Sequence, residues 1–117
     1  MTPDTEPITV AVDAMGGYQA SDEVVAAVAE ASARRTADSQ VFFTLVGDEA
    51  RATDALVKHG HNPERIRIRH APEVVRLGES AHRALEQKRG CSIAVACELV
   101  AEGRADAVVT AGNPGAA

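Results

Sequence analysis

The chain has 117 residues, a net charge of −5 and an apolar content of 45%, a size typical of one domain with a single core. Its acidity argues against a nucleic-acid-binding protein, because such proteins neutralise phosphates with clustered Lys and Arg. No run of about 20 apolar residues predicts a membrane span, and the N-terminus lacks the charged-then-apolar layout of a signal peptide. We therefore expect a cytoplasmic protein.

The start of the chain predicts a lead-in, a strand and a turn. Residues 1–7 contain two prolines and no periodicity, so we expect a flexible segment there. The apolar run Ile8–Asp13 is typical of a strand buried on both faces of a parallel sheet. The turn that follows contains Gly16 and Gly17, and only glycine adopts many tight-turn geometries without strain.

Residues 22–35 predict a helix, with Ser21 as its N-cap and basic residues in its last turn. Glu30 and Arg34 stand four positions apart on the charged face, where an ion pair is expected. The apolar residues recur at helical spacing on the opposite face; they are Val24, Val25, Val28 and Ala31.

The middle of the chain predicts two more strands and two more helices. Residues 41–46 are strongly apolar and predict the second strand. Asp48 is the expected N-cap of a helix that reaches about residue 59. Ile66–His70 predicts a shorter third strand, and residues 80–88 predict a polar helix.

The last quarter of the chain predicts a helix and a strand. Ser92 opens the helix and Gly103 ends it. Residues 107–111 predict the fourth strand. The expected buried stripe of the helix follows helical spacing and consists of Ile93, Ala96, Cys97 and Val100.

Strands and helices alternate along the whole chain. This order predicts parallel strands joined by right-handed crossovers, with helices on both faces of the sheet. The predicted fold class is therefore α/β, a three-layer Rossmann-like sandwich with a mostly parallel sheet. Ligands of such folds bind at the carboxyl edge of the sheet.

The cysteines and histidines do not predict a metal site. Cys91 and Cys97 do not form a CxxC motif, so we expect reduced, structural thiols. His59 and His61 lack a third and fourth ligand at suitable spacing, and a polar helix end is the simpler interpretation. We predict no metal and no cofactor.

The most basic segment contains Arg65, Arg67 and Arg69 in alternation with two isoleucines. Alternation of this kind is typical of a strand with one face in solvent. We therefore interpret the three arginines as the exposed face of the third strand in preference to an anion site.

Two glycine-bearing segments follow predicted strands and are candidates for a binding site. Residues 13–17 place paired glycines after the first strand, where exposed amides can approach an anion. Residues 111–116 place Asn113, an amide that both donates and accepts hydrogen bonds, between two glycines. Neither segment is a GxGxxG motif or a P-loop, and a plain turn remains the alternative for each.

A third candidate lies between these two segments. Lys88 and Arg89 precede Ser92 at a helix start, where an anionic group can be held by positive charge and free backbone amides. A solvated helix junction is the alternative interpretation. No Ser-His-Asp or Cys-His arrangement is evident from spacing.

Four segments together resemble the amino-terminal third of the phosphate acyltransferase (PlsX) family. They are VDAMGG at 12–17, LVGDE at 45–49, HAPEVV at 70–75 and the long segment at 92–116 that ends in AGNPGA. The resemblance implies an isocitrate/isopropylmalate dehydrogenase-like fold. It also implies that residues 8–117 are the amino-terminal part of a single, truncated α/β acyltransferase domain.

The resemblance implies an activity and its partners. Members of this family transfer a fatty acyl group from acyl carrier protein to inorganic phosphate, and the acyl phosphate enters phospholipid synthesis. The implied partners are an acyl carrier protein thioester and phosphate. A homodimer and peripheral membrane association of the complete protein are further expectations, and nucleic acid is not expected.

The resemblance also implies site residues. Asn113 and Asp13 are the implied catalytic residues. The implied substrate-binding residues are Met15, Gly16, Gly17, Lys88, Ser92, Gly112, Gly115 and Ala116. Several positions depart from the family pattern, with Tyr18 where aspartate is usual, Pro114 where threonine is usual, and Gly90 and Cys91 where aspartate and serine are usual.

These departures keep two other interpretations open. One is a non-catalytic phosphate- or nucleotide-binding α/β module. The other is a degenerate association partner of a longer paralogue. A functional site in any form requires that the segments containing Gly16 and Gly112 lie at the same edge of the sheet.

Overall fold

A computed structural model describes residues 7–14, 20–34, 40–72 and 90–110. In these ranges strands and helices alternate, as predicted. The elements are β1 (Ile8–Asp13), α1 (Ala20–Ala33), β2 (Val41–Gly47), α2 (Glu49–Val57), a 3-10 turn (Pro63–Arg65), β3 (Ile66–His70), α3 (Ser92–Ala101) and β4 (Ala107–Thr110). The helix predicted over residues 80–88 lies outside the described residues.

The four strands form one sheet in the order β3-β2-β1-β4. Each of the three neighbouring pairs is parallel. The first two crossovers move the chain outward from β1 to β3, and the third returns it to the other side of β1. Because right-handed crossovers in opposite directions place their helices on opposite faces, the order predicts helices on both sides of the sheet.

The core confirms this layering. Val12, Leu45 and Ile66 point to one face, where they pack against Val25 of α1 and Leu56 of α2. On the other face α3 packs against the sheet. Its residues Val95, Ala96 and Leu99 contact a cluster that includes Ala11 of β1 and Val46 of β2. Successive strand residues alternate between the faces, so the α/β three-layer Rossmann-like sandwich is confirmed. The more specific dehydrogenase-like resemblance stays a prediction.

Helix α1 begins earlier than predicted. It starts at Ala20, so Ser21 lies inside the first turn and its prediction as N-cap is wrong. Alanine has the highest helix propensity, which is consistent with an extension at this end. The ion pair of Glu30 and Arg34 is confirmed at 3.2 Å, and since both side chains are exposed it contributes little to stability.

The buried face of α1 is close to the predicted one. Val25 and Val28 are buried, as predicted, and so are Ala29 and Ser32. Ala31 is only half-buried.

Helix α2 has the predicted N-cap. The Asp48 carboxylate accepts a hydrogen bond of 3.2 Å from the Arg51 amide. The helix ends at Val57, slightly before the predicted end near residue 59.

Helix α3 is buried along a different stripe from the one predicted. Ile93 and Ala96 are buried as expected, but Cys97 and Val100 are exposed, and Val95 and Leu99 take their places. Cys91 is the buried N-cap residue, and Ser92 is the first helical residue. Gly103 ends the helix as predicted, with a φ of +76° that favours glycine.

The arginines around β3 have two different environments. Arg67 and Arg69 are exposed, which confirms the prediction for the strand itself. Arg65 belongs to the preceding 3-10 turn and is only 8% exposed. The prediction that Arg65 is solvated is therefore wrong, because its guanidinium is directed at backbone carbonyl groups instead.

No described helix is long and apolar enough to cross a lipid bilayer. Within the described ranges, no three His, Cys, Asp or Glu side chains come together as a metal site.

Candidate functional site

The two candidate segments leave the sheet from neighbouring strand ends. β1 and β4 pair in parallel, and Asp13 stands opposite Thr110 at the carboxyl end of both strands. Residues 15–17 follow the first end and residues 111–116 follow the second. The expectation that the two segments start at the same edge of the sheet is therefore confirmed for the strand ends, while the segments themselves lie outside the described residues.

The same two strands define the topological switch point of the sheet. The chain runs outward from β1 to β2 and β3, and then adds β4 on the opposite side of β1. At such a reversal the connections on the two sides lead away from each other and leave a crevice at the carboxyl edge, where ligands of open α/β sheets bind. The two strand ends that precede the glycine-bearing segments are the ones that flank this switch point.

A buried carboxylate lies at this switch point. Asp13 is 3% exposed, and its two carboxylate oxygens accept hydrogen bonds from two different elements. Oδ1 accepts from Ser92 Oγ at 2.5 Å, and Oδ2 accepts from Thr110 Oγ1 at 2.8 Å. We call Asp13, Ser92 and Thr110 the Asp13 cluster.

Strand alternation explains why the cluster forms. Ala11 packs on the α3 side of the sheet, and Asp13, two residues later, points to the same side. Val108 packs on that side as well, so Thr110 also points there. Ser92 is the first residue of α3, which begins over this edge, and it is only 4% exposed.

The cluster determines what Ser92 can offer a ligand. A serine hydroxyl carries one hydrogen, and in Ser92 that hydrogen is donated to Asp13. The hydroxyl therefore presents lone pairs to any other group. The backbone amides of the first turn of α3 have no partner within the helix and favour an anion.

Two of the predicted site residues, Asp13 and Ser92, are brought together by the fold. The remaining predicted site residues lie outside the described residues; they are Met15, Gly16, Gly17, Lys88, Gly112, Asn113, Gly115 and Ala116.

Thr110 was not predicted as part of the site. One feature of the sequence could have indicated it: Thr110 is a polar residue at the end of an apolar strand, directly before a glycine-bearing segment. Its role depends on the pairing of β1 with β4, because only that pairing places its hydroxyl beside Asp13. The alternation of strands and helices along the chain does not specify which strands are neighbours.

Comparison with known proteins shows the family to which the chain belongs. Residues 8–117 match a family model described as fatty acid synthesis protein. The match includes all four strands and both strand ends of the switch point.

Individual relatives named phosphate acyltransferase are similar over nearly the whole chain. The chain is 46% identical to the phosphate acyltransferase of Gloeothece citriformis over 108 residues, which are 92% of this chain and 29% of that protein. It is 42% identical to the phosphate acyltransferase of Geobacillus thermodenitrificans over 109 residues, 93% of this chain and 31% of that protein.

A third relative, the phosphate acyltransferase of Neisseria meningitidis, is 43% identical over 109 residues, which are 93% of this chain and 30% of that protein. The chain therefore spans about a third of the length of the curated relatives that it matches.

Proposed function

This chain belongs to the fatty acid synthesis protein family, and its relatives in Gloeothece citriformis and Geobacillus thermodenitrificans are named phosphate acyltransferases. We propose that its complete protein transfers a fatty acyl group from acyl carrier protein to inorganic phosphate. The product is an acyl phosphate that serves phospholipid synthesis. The observation that carries this proposal is the pairing of β1 with β4, which starts both glycine-bearing segments at the switch point of the sheet.

The proposed reaction is the attack of a phosphate oxygen on the thioester carbonyl. The carbonyl carbon becomes tetrahedral and its oxygen becomes an oxyanion, after which the C–S bond breaks and the carrier leaves as a thiolate. Donors aimed at the developing oxyanion lower the barrier. Since phosphate is already an anionic nucleophile, the reaction needs no activated serine or cysteine, and the main task of the protein is to position the two reactants.

The residues of the two segments have complementary roles in this proposal. The amides of Gly16 and Gly17 and those of Gly112 and Gly115 bind phosphate oxygens. Asn113 donates its side-chain amide to the oxyanion. Lys88 adds positive charge near the start of α3, and the first amides of that helix extend the anion site.

The other proposed substrate contacts come from Met15 and Ala116, which shape the two segments. No cofactor takes part. We further propose that the complete protein is a cytoplasmic homodimer that associates peripherally with membranes, where its product is consumed.

The activity is tested by incubating the full-length protein with an acyl carrier protein thioester and labelled inorganic phosphate. Label in acyl phosphate, with release of the free carrier thiol, is the expected result. Folded protein that yields no acyl phosphate would contradict the proposal. Phosphate binding without turnover would instead favour a non-catalytic phosphate-binding module.

Asn113→Ala tests the role of the second segment. We expect kcat to fall by about 100-fold or more, because removal of one oxyanion donor costs on the order of 10² to 10³ in rate. The measurement is the steady-state rate of acyl phosphate formation at saturating phosphate.

Asn62→Ala is the matched control for this variant. Asn62 caps the 3-10 turn before β3, at the opposite edge of the sheet, where its Oδ1 accepts from the Glu64 amide. We expect Asn62→Ala to lower stability and to leave kcat unchanged. Equal rates of the two variants would remove Asn113 from the proposed mechanism.

A further inference from the structure

The Asp13 cluster joins three elements that are far apart in the sequence. Asp13 ends β1, Ser92 begins α3 and Thr110 ends β4. The two hydrogen bonds connect them through one carboxylate at the carboxyl edge of the sheet. The three residues are therefore fixed relative to one another at the point where the two glycine-bearing segments begin.

The geometry of Asp13 does not suit direct contact with phosphate. Asp13 is 3% exposed, and each of its carboxylate oxygens already accepts from a hydroxyl group. A phosphate at the same place would carry the same sign of charge, and two such groups in a poorly solvated site repel each other. Asp13 also has no catalytic need to act as a base, since phosphate is an anionic nucleophile.

The hydroxyl groups of Ser92 and Thr110 are directed at the Asp13 carboxylate. Ser92 and Thr110 each donate their one hydroxyl hydrogen to Asp13. Hydrogen bonds to a charged acceptor are the stronger kind in proteins, so they hold both side chains in one orientation. Since both hydroxyl hydrogens are used in this way, the backbone amides of the first turn of α3 are the groups left to donate to an anion.

We propose that Asp13 is a positioning residue, which holds the ends of β1 and β4 and the first turn of α3 in the geometry that the phosphate site requires. It acts through Ser92 and Thr110 and does not touch the substrate. The expected effect on kcat/KM rests on the proposed function. The claim that the Asp13 cluster holds the strand ends and the helix start in place does not, and it is measured separately.

Thr110→Val tests the inference in the full-length protein. Valine keeps the shape of threonine and removes one donor to Asp13. We expect kcat/KM for phosphate to fall by about 10- to 100-fold, because a displacement of about 1 Å in a reacting group costs on the order of 10² in rate. Thr110→Ser, which keeps the hydroxyl, should recover most of the loss.

Thr44→Val is the matched control. Thr44 lies on the neighbouring strand β2, opposite Ala11 and on the α3 side of the sheet. The substitution makes the same chemical change outside the Asp13 cluster. We expect it to leave kcat/KM for phosphate unchanged.

Amide hydrogen exchange gives a readout that is independent of activity. The Ala14 amide, just after β1, donates to the Val46 carbonyl at 2.9 Å. We expect Thr110→Val to accelerate exchange at Ala14, and Thr110→Ser and Thr44→Val to leave it near the wild-type rate. Unchanged exchange and unchanged kcat/KM in Thr110→Val would overturn the inference.

Asp13→Asn separates positioning from base catalysis. Asparagine can still accept from Ser92, and its NH2 group can donate to Thr110 if that hydroxyl turns. Because both contacts can be kept, a positioning role predicts a loss no larger than that of Thr110→Val and an unchanged shape of the pH–rate profile. Loss of the acidic limb of the profile, with full activity in Thr110→Val, would show that Asp13 is a base and would overturn the inference.

The two proposals fail in distinguishable ways. If the wild-type protein makes no acyl phosphate, the proposed function fails, and exchange at Ala14 still decides whether the Asp13 cluster fixes the strand end. If the wild-type protein is active and the cluster variants match it in kcat/KM and exchange, only the positioning role fails.

Discussion

Arg65 is a buried cation held by backbone carbonyl groups. Its Nε donates to the Val41 carbonyl at 2.9 Å, and one terminal nitrogen donates to the Ser32 carbonyl at 2.9 Å and to the Arg34 carbonyl at 3.2 Å. These carbonyls belong to the start of β2 and to the end of α1. Carbonyl groups at a helix C-terminus have no partner within the helix and carry partial negative charge. The guanidinium of Arg65 supplies both the hydrogen-bond donors and the positive charge that these carbonyl groups lack.

Replacement of Arg65 tests this contribution. We expect Arg65→Ala to lower the free energy of unfolding by about 2 to 4 kcal/mol, since buried acceptors that lose a partner cost about 1 to 3 kcal/mol each and part of that loss is relieved by water. Arg65→Lys should recover only part of it, because lysine lacks the planar fork of donors. Chemical denaturation measures the differences.

Arg67→Ala is the control at an exposed position. We expect a change within about 0.5 kcal/mol, which is usual for surface substitutions. A similar loss in Arg67→Ala and Arg65→Ala would contradict the structural role assigned to Arg65.

The contrast between Arg65 and Arg67 shows what alternation in the sequence can predict. Within β3 the period of two assigns Ile66 and Ile68 to the core and Arg67 and Arg69 to solvent, and the structure agrees. Arg65 precedes the strand, in a 3-10 turn, so the same period does not apply to it. Its carbonyl partners come from residues more than 20 positions away, and local sequence contains no signal for them.

Among the helices, the N-cap of α2 and the end of α3 were predicted more accurately than the buried face of α3. Asp48 and Gly103 act where the sequence places them, because capping depends on a single side chain or a single backbone angle. The prediction of the buried face of α3 was partly wrong. Its sequence, SIAVACELVA, is apolar on almost every side, so several stripes fit the helical period equally well and only packing on the sheet selects one.

Gly103 and Gly60 form a matched pair that tests the end of α3. A Cβ added at either glycine meets no atom within 4 Å, and only Gly103 has a positive φ. We expect Gly103→Ala to cost about 1 to 2 kcal/mol of stability, because an L-residue in the left-handed region is strained by about that amount.

Gly60→Ala should be neutral or stabilising by up to about 1 kcal/mol, since alanine reduces the freedom of the unfolded chain without strain in the native state. Thermal or chemical unfolding of both variants measures the difference. Equal stabilities would show that the conformation of Gly103 does not determine the end of the helix.

At the scale of the whole molecule, alternation predicted the layers but not the order of the strands. Four strands and their crossovers are compatible with several parallel sheets. The structure adds β4 beside β1 and thereby makes β1 and β4 the switch point. This one choice places Ser92 and Thr110 around Asp13, although these residues are separated by many positions in the chain.

The sequence was therefore sufficient to predict that the ends of β1 and β4 lie at the same edge of the sheet, and it was not sufficient to predict the hydrogen bonds between Asp13, Ser92 and Thr110. Glycine-bearing segments after strands indicated the carboxyl edge, as expected for α/β folds. The hydrogen bonds of the Asp13 cluster depend on strand pairing and on the start of α3 over the same edge, neither of which is encoded in a local motif. Thr110 was missed for this reason.

The proposed function requires that one phosphate bind to both glycine-bearing segments at the switch point. Titration of inorganic phosphate into isotope-labelled full-length protein, followed by the amide resonances, tests this requirement. We predict that Gly16, Gly17 and Gly112 shift together with a single dissociation constant, while Gly60 and Gly103 do not shift. Shifts confined to one segment, different midpoints for the two segments, or no shift in either would show that the requirement is not met.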